Sequence, residues 1–419
     1  MKATNALLFL LSVLVLFAPA SAQADTTITV TGTAQPANKQ TITLRGFPGD
    51  SSEPARTFLD VLRNDLKCSG WFVPVETAQA SVVLTGSVRG TATGVEYSAT
   101  ASWMLGSRTR SWNAQAPQLQ VRDAAHALAD AIIEEVAGKK PMASAKIVFI
   151  GRRAGQTDVY RCDSDGARLT RLTSDGALCV SPNWIPGQNA FLYTSWLKGT
   201  PAVYEVNLND NRRRVVSARN GMNQGAVVSP DGRRAAILLS VSGGVELYLI
   251  DPASGRVLDR LTRSKQVNEA SPSWSPDGNS LVYASDDGGT PRCYVMNLAT
   301  RQRTRLVWSA DIGENVSPEW GSDGRIAFCG KTKGGRYRIF VADPSKDSRT
   351  TKPIDICPKD GADYEDPSWA PDGRHVVCTR TVNFVRSLVV LDADPNPDPM
   401  RTLFSTPGDW YLPSWSANF

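Results

Sequence analysis

The sequence predicts a small α/β domain followed by an all-β, six-bladed β-propeller, closed by strands from both ends of the propeller segment. Three observations carry this reading. Trp184, Val228, Trp274, Trp320, Trp369 and Trp415 stand 44, 46, 46, 49 and 46 residues apart. Proline stands two residues before five of these anchors, at Pro182, Pro272, Pro318, Pro367 and Pro413. Asp-Gly pairs follow four of them, at Asp231-Gly232, Asp277-Gly278, Asp323-Gly324 and Asp372-Gly373. A period of about 40 to 50 residues with short strands and glycine turns marks a propeller.

In chain order, residues 1–24 read as a signal peptide. A single Lys2 precedes an apolar run from Ala6 to Phe17, and Ala20-Ser21-Ala22 or Ala22-Gln23-Ala24 precedes the cut. The run is short for a transmembrane helix, and no cysteine lies near the cut to carry a lipid. The mature protein is therefore expected to be soluble and exported, without direct membrane insertion.

Residues 25–137 do not follow the repeat and read as the α/β domain. Thr26–Thr31 and Thr41–Leu44 alternate as strands do. Arg56 to Leu66 carries an amphipathic helical pattern after Ser51-Ser52-Glu53-Pro54, with Gly70 suited to its end. Ser81–Val88 and Val95–Leu105 read as a hairpin. Val121–Val136 reads as a second helix with Ala125, Leu128, Ala129, Ile132 and Ile133 on its apolar face. Residues 138–144 are a short polar linker, and 145–419 are the propeller.

Each propeller unit reads as four strands. An inner strand ends at the anchor, an Asp-Gly-type turn follows, and an apolar strand leads to a glycine-rich turn. A third strand carries an aromatic or apolar residue twenty positions after the anchor (Tyr204, Tyr248, Tyr294, Phe340, Val389). An Asx turn follows at twenty-three (Asn207, Asp251, Asn297, Asp343, Asp392), and a fourth strand ends the unit. The sixth unit stops four residues after Trp415. Reading Ala145 as the continuation of Phe419 places Tyr160 at twenty and Asp163 at twenty-three. The last inner strand should therefore complete the blade begun by Lys146–Arg152, a closure that removes exposed sheet edges.

Composition excludes several functions. The chain holds 46 basic and 41 acidic residues, and no basic run points to nucleic acid; Arg212-Arg213-Arg214 reads as a solvated strand or turn. Seven cysteines permit disulfides in an exported protein without requiring them, and buried free thiols fit their positions in strands as well. A hydrolase would need a nucleophile, a base and a catalytic domain. No Gly-x-Ser-x-Gly elbow exists, and the two histidines, His126 and His375, read as structural or solvated. A peptidase-associated propeller is thus the weaker alternative. A carbohydrate- or metal-binding propeller is another, because Asp286-Asp287 and Asp360, Asp363, Glu365 and Asp366 offer oxygen ligands of the calcium type, and a calcium ion could sit at the ring axis. No cofactor is otherwise indicated. The repeated Trp and Asp-Gly pairs themselves read as inter-blade packing and as turns.

Three local stretches carry a family resemblance: Phe58–Phe72, the helix Ala125–Asp130 leading to Lys146–Phe149, and Ser271–Gly278. With the signal peptide, the domain order and the end-to-end closure, the chain resembles the TolB family of the Tol–Pal cell-envelope system over essentially its whole mature length. The resemblance implies a periplasmic binding protein rather than an enzyme. It implies a Pal-like peptidoglycan-associated lipoprotein bound on one propeller face, a TolA-like inner-membrane partner bound by the N-terminal segment, and a role in outer-membrane integrity and in envelope constriction at cell division. The implied Pal-like face bears the loops entering each inner strand: Met222, Asn223, Gln224 and Gly225; Asn268, Glu269 and Ala270; Glu314 and Asn315; Tyr364, Glu365 and Asp366; Trp410 and Tyr411. The implied TolA-contacting segment begins Asp25, Thr26, Thr27, Ile28, Thr29, Val30; it is Thr-rich and nearly uncharged, which departs from the family pattern.

Overall fold

The computed structural model describes residues 39–416 except 78, 154, 242, 264–265, 307–311 and 348–349. The signal-peptide reading and the segment Asp25–Val30 lie outside the described residues. Residues 38–419 form one compact unit.

The small domain is a five-stranded sheet under two helices. Its strands are β1 (Gln40–Gly46), β2 (Phe72–Pro74), β3 (Val82–Thr91), β4 (Gly94–Trp103) and β5 (Thr109–Pro117), in the order β2-β1-β3-β4-β5. Helix α1 (Glu53–Cys68) starts where the Ser52 side chain accepts from the Ala55 N–H, with Pro54 in the first turn. Capping satisfies an amide that the helix cannot, and proline there forgoes no hydrogen bond. Gly70, at φ +73°, turns the chain away after the helix. Helix α2 (Val121–Ile132) runs into a single π turn (Ile133–Ala137) that ends at left-handed Gly138. Phe58, Leu62 and Leu66 of α1 and Leu128 and Ile132 of α2 bury against Ile42, Phe47 and Leu84. The expected helices and hairpin are present; β2 and β5 are additions to the reading. The junction 138–144, read as polar, buries Met142 and Ala143. The Asp130 carboxylate accepts from the Ala143 and Ser144 amides at 2.7 and 2.9 Å, which fixes this junction.

The propeller comprises six four-stranded antiparallel sheets among the described residues. Its inner strands are Cys179–Trp184, Asn223–Val228, Glu269–Trp274, Ile312–Trp320, Asp363–Trp369 and Asp409–Trp415. They belong to blades one to six, and each ends on the sequence anchor. The sixth blade joins both ends of the segment. Asp409–Trp415 pairs with Lys146–Arg153, matching Trp410 to Gly151 and Trp415 to Ile147. Beyond the anchor, Ser416 donates its amide to the Lys146 carbonyl at 2.8 Å and its Oγ accepts from the Lys146 amide at 2.9 Å. The anchors Trp184, Trp274, Trp369 and Trp415 are 5–7 % exposed and pack between blades. All seven cysteines are free thiols. No helix among the described residues is long and apolar enough to cross a membrane.

Blades five and six carry the small domain on their Asp-Gly and Asx turns. His126 of α2 is fully buried; its Nδ1 lies 2.6 Å from Asp65 of α1 and its Nε2 lies 3.6 Å from Asp163 of blade six. Burial works against a charged imidazole, but the Asp163 and Asp65 carboxylates outweigh it and hold the pKa up to about 9. Asp163 is also bonded by Lys146 and Arg168, and despite its burial these cations and His126 keep it well below the carboxylate range.

Candidate functional site

The six inner strands line an axial channel of about 360 Å³. Its wall is set by a repeated backbone device. Ser181, Gly225, Ser271, Ser317, Asp366 and Leu412 all hold positive φ, between +47° and +65°. At each of them the pairing register with the second strand slips. These are β-bulges, which kink the strand and re-aim its side chains. Five of the six precede proline, whose ring disfavours the right-handed helical region for the residue before it. Only one of the six is glycine, so the other five bear the conformational strain of an L-residue there.

The residue just before each anchor then stitches one blade to the next. Ser273 Oγ accepts the Trp320 amide at 3.0 Å, Glu319 accepts the Trp369 amide at 2.9 Å, and Ser368 Oγ accepts the Trp415 amide at 2.9 Å. Ser414 Oγ accepts the Trp184 amide at 3.4 Å, and the Asn183 side-chain Nδ2 donates to the Ala226 carbonyl at 3.3 Å. At the remaining junction the Trp274 indole donates to the Val227 carbonyl at 3.0 Å. The anchor residues dominate the repeat in the sequence and mask this ring. The signal is the polar residue one position earlier in five of the six blades, at Asn183, Ser273, Glu319, Ser368 and Ser414.

Each inner strand begins at the face opposite the small domain and runs toward it. Most of the residues read as entry loops are the first residues of those strands; only Met222 and Asn268 precede them. Several are buried and cannot act as exposed anchors. The Trp410 ring packs edge-on against Phe149, Tyr160 and Phe404. Tyr364 is fully buried, and its hydroxyl donates to Asp360 at 2.8 Å. Asn223 is fully buried, donating to the Pro201, Arg219 and Gly221 carbonyls. Glu269 and Asn315 are buried as well, and Tyr411 lies under the Arg386 guanidinium, 3.5 Å from its ring centre. Loop-like composition concealed these positions because the bulges break the alternation by which a strand is read. Gln224, Gly225, Ala270 and Asp366 line the channel. Asn268 is exposed at the mouth, where its side chain donates to Asp286 at 3.0 Å. Glu314 is half-buried between Lys331 and Tyr337, and Met222 and Glu365 are half-buried too.

The electrostatics of the channel are carboxylic. Burial pushes Glu319 up to about 7 against the pull of the Trp369 amide and the Ser368 hydroxyl. Burial also pushes Glu269 to about 7 and raises Glu365 and Asp366. Most of the acids read as possible calcium ligands are otherwise engaged. Asp287 pairs with Arg303, Asp360 with Arg380 and Asp363 with Arg336, while Asp366 accepts from Thr379. Among the described residues, the cluster with the spacing of a metal site is His126, Asp163 and Asp165. It lies at the small-domain boundary, where Arg122, Lys146 and Arg168 already neutralise its carboxylates.

Comparison with known proteins accords with this geometry. The family model of the TolB beta propeller domain matches residues 133–419. A protein described as a TolB homolog from Chlorobium luteolum is 28% identical over 186 residues, 44% of this chain and 41% of that protein. One from Chlorobium chlorochromatii is 32% identical over 169 residues, 40% of this chain and 37% of that protein. The chain thus spans about two fifths of the length of these curated relatives. The Tol-Pal system protein TolB of Bordetella parapertussis is 27% identical over 313 residues, 70% of each chain. The crystal structure of TolB from Acinetobacter baumannii has the same fold, with a TM-score of 0.77 at 22% identity over 91% of this chain and 97% of that one. A strand order closed by both ends, a bulged channel wall and a family match across the whole propeller converge: the chain belongs to the TolB β-propeller family.

Proposed function

We propose that this chain is a periplasmic, non-catalytic binding component of a Tol–Pal system, which holds a Pal-like lipoprotein at the channel mouth opposite the small domain. In this role it supports outer-membrane integrity and envelope constriction during division. The observation that carries the reading is the mouth itself. Half-exposed amide and carboxyl groups on rigid, bulge-fixed strands surround a channel, an arrangement suited to a wet protein interface. Catalysis finds no support among the described residues: His126 is locked between two carboxylates, and the His375 Nδ1 is held 2.6 Å from Asp372 at a turn.

The test uses purified protein and the soluble domain of the organism's Pal-like lipoprotein in calorimetry. Ala270→Arg is the informative variant, because Ala270 is exposed on the channel wall and an arginine there obstructs the mouth without disturbing the core. Loss of binding in this variant, with unchanged thermal stability, supports the mouth; equal binding by both proteins removes it. The segment beginning Asp25–Val30 is proposed to contact a TolA-like partner. Its deletion should abolish capture of that partner while leaving the propeller folded.

A further inference from the structure

Two blade junctions are stapled by arginines, and the junction between them is not. Arg234 stands just before the second strand of blade two. Its guanidinium lies 5.1 Å from the ring centre of Trp274 in blade three and donates to the Gly278 carbonyl at 3.0 Å. Arg325 holds the same register position in blade four. It lies 5.1 Å from the Trp369 ring of blade five and donates to the Gly373 carbonyl at 2.8 Å. The strand registers place Ser280 at this position in blade three, since Leu281 pairs with Trp274 as Ala235 pairs with Val228 and Ile326 with Trp320.

Ser280 is too short to reach across as Arg234 and Arg325 do, and Trp320 in the next blade is the more open indole. It is half-buried, whereas Trp274 and Trp369 are 5–7 % exposed. Its indole N–H turns to the Gly324 carbonyl of its own blade at 3.0 Å. Trp274 and Trp369 instead donate to the preceding blade. Among the described residues no cation is seated over Trp320. Beside it opens a groove of about 690 Å³ lined by Ser280, Asp277, Asp323 and Asp343. Among the described residues that line the groove, Arg325 is the cation beside the carboxylates of Asp277, Asp323 and Asp343, a formal charge of −2 for these four groups. Arg325 is itself committed to Asp323 and to the Trp369 face.

We propose that the blade three–four groove binds the guanidinium of an arginine side chain from a partner polypeptide, seated over Trp320 where the molecule's own arginines sit at the two stapled junctions. The chemistry is complementary. An indole face attracts a cation, guanidinium stacks better than ammonium, and flanking carboxylates select charge. The groove lies at the Asp-Gly-turn end of the blades, the opposite end from the channel mouth, so this inference stands independently of the proposed lipoprotein site.

The test labels the full chain with 5-fluorotryptophan and follows the eleven tryptophan fluorine resonances, with Trp320 assigned from Trp320→Phe. Ethylguanidinium should shift the Trp320 resonance saturably in the millimolar range, and its neutral analogue ethylurea should not. Ser280→Arg should abolish the saturable shift by supplying the staple internally, while resonances of distant indoles stay in place. The double variant Asp277→Asn, Asp343→Asn should weaken binding about three- to fivefold per carboxylate. The proposal is overturned if Trp320 does not respond, if ethylurea acts equally, or if either variant responds as the wild type does.

Discussion

Arg374, on the Asp-Gly turn of blade five, stacks over the indole of Trp71 in the small domain, 4.5 Å from its ring centre. The same guanidinium donates to the Gly70 carbonyl at 2.9 Å and makes a two-pronged bond to Asp392 at 2.9 and 2.7 Å. Lys39 joins the assembly through Asp398, and Lys139 covers Trp71 at 4.9 Å. This buried arginine thus fastens the small domain to blade five, as the His126–Asp163 cluster fastens it to blade six. Removing Arg374 leaves Asp392 buried without its partner, the costly way to break an ion pair. Arg374→Ala should lower unfolding free energy by about 3 kcal/mol and split a single denaturation transition in two, read by circular dichroism and by Trp71 fluorescence. Arg374→Lys should recover only part, because an ammonium cannot bridge both oxygens and a carbonyl in one plane.

The Glu319 carboxyl makes stability fall as pH rises. Its folded pKa, about 7, lies above the ordinary value of 4.5. Between those values the folded chain holds a proton that the unfolded chain releases, so protonation favours folding and the advantage fades toward neutrality. The full span is about 3 kcal/mol. Glu319→Gln keeps an acceptor for the Trp369 amide. It should match the wild type near pH 5 and exceed it by about 2–3 kcal/mol at pH 8, in urea titrations at both values. An unchanged difference across this range would contradict the assignment.

The hairpin between the second and third strands of blade five turns on Asn383 and Phe384, at φ +49° and +64°. Phe384 is 98% exposed, so its ring gains no burial for the strain of its backbone. Such two-residue turns favour Asn-Gly. Phe384→Gly should stabilise the protein by about 1 kcal/mol, seen as a rise in thermal midpoint. Phe384→Ala should not, because it keeps the Cβ that clashes.

Deleting residues 409–419 removes the inner strand that carries Trp410, Tyr411 and Trp415, all under 10 % exposed. Each large side chain contributes about 2–3 kcal/mol of burial, and the total stability of a domain is only about 5–15 kcal/mol. The truncated chain should show no cooperative thermal transition and should bind hydrophobic dyes. A peptide of the missing strand added in trans should restore part of the transition.

Much of the fold could be read from the chain because five of the six blades mark their inner strand with a tryptophan that packs between blades. Trp184 through Trp415 record that packing directly, and the closure followed from counting through Phe419 into Ala145. Helix α1 was visible in Ser52, Pro54 and Gly70, whose chemistry is local. Strand β5 was not, since Thr109–Pro117 is a mostly exposed edge strand with no clear apolar alternation. The mouth was misread for a different reason. Asn223, Glu269 and Tyr364 are polar at one end and buried by tertiary contacts, and composition alone cannot distinguish a polar group that greets a partner from one that ties down a neighbouring loop.

The Lys146–Ser416 pair has a consequence for how the protein comes into being. These residues are 270 positions apart in sequence, and their pairing shuts the ring. A chain still growing, or still being threaded, carries the Lys146–Arg153 strand as an open edge with no partner yet made, and such edges recruit other strands. Because closing so long a loop is slow, this edge should stay open longer during folding than the edges paired within each other blade. The sixth blade therefore ties the two ends of the propeller to each other, and without the Asp409–Trp415 strand the ring has no seal.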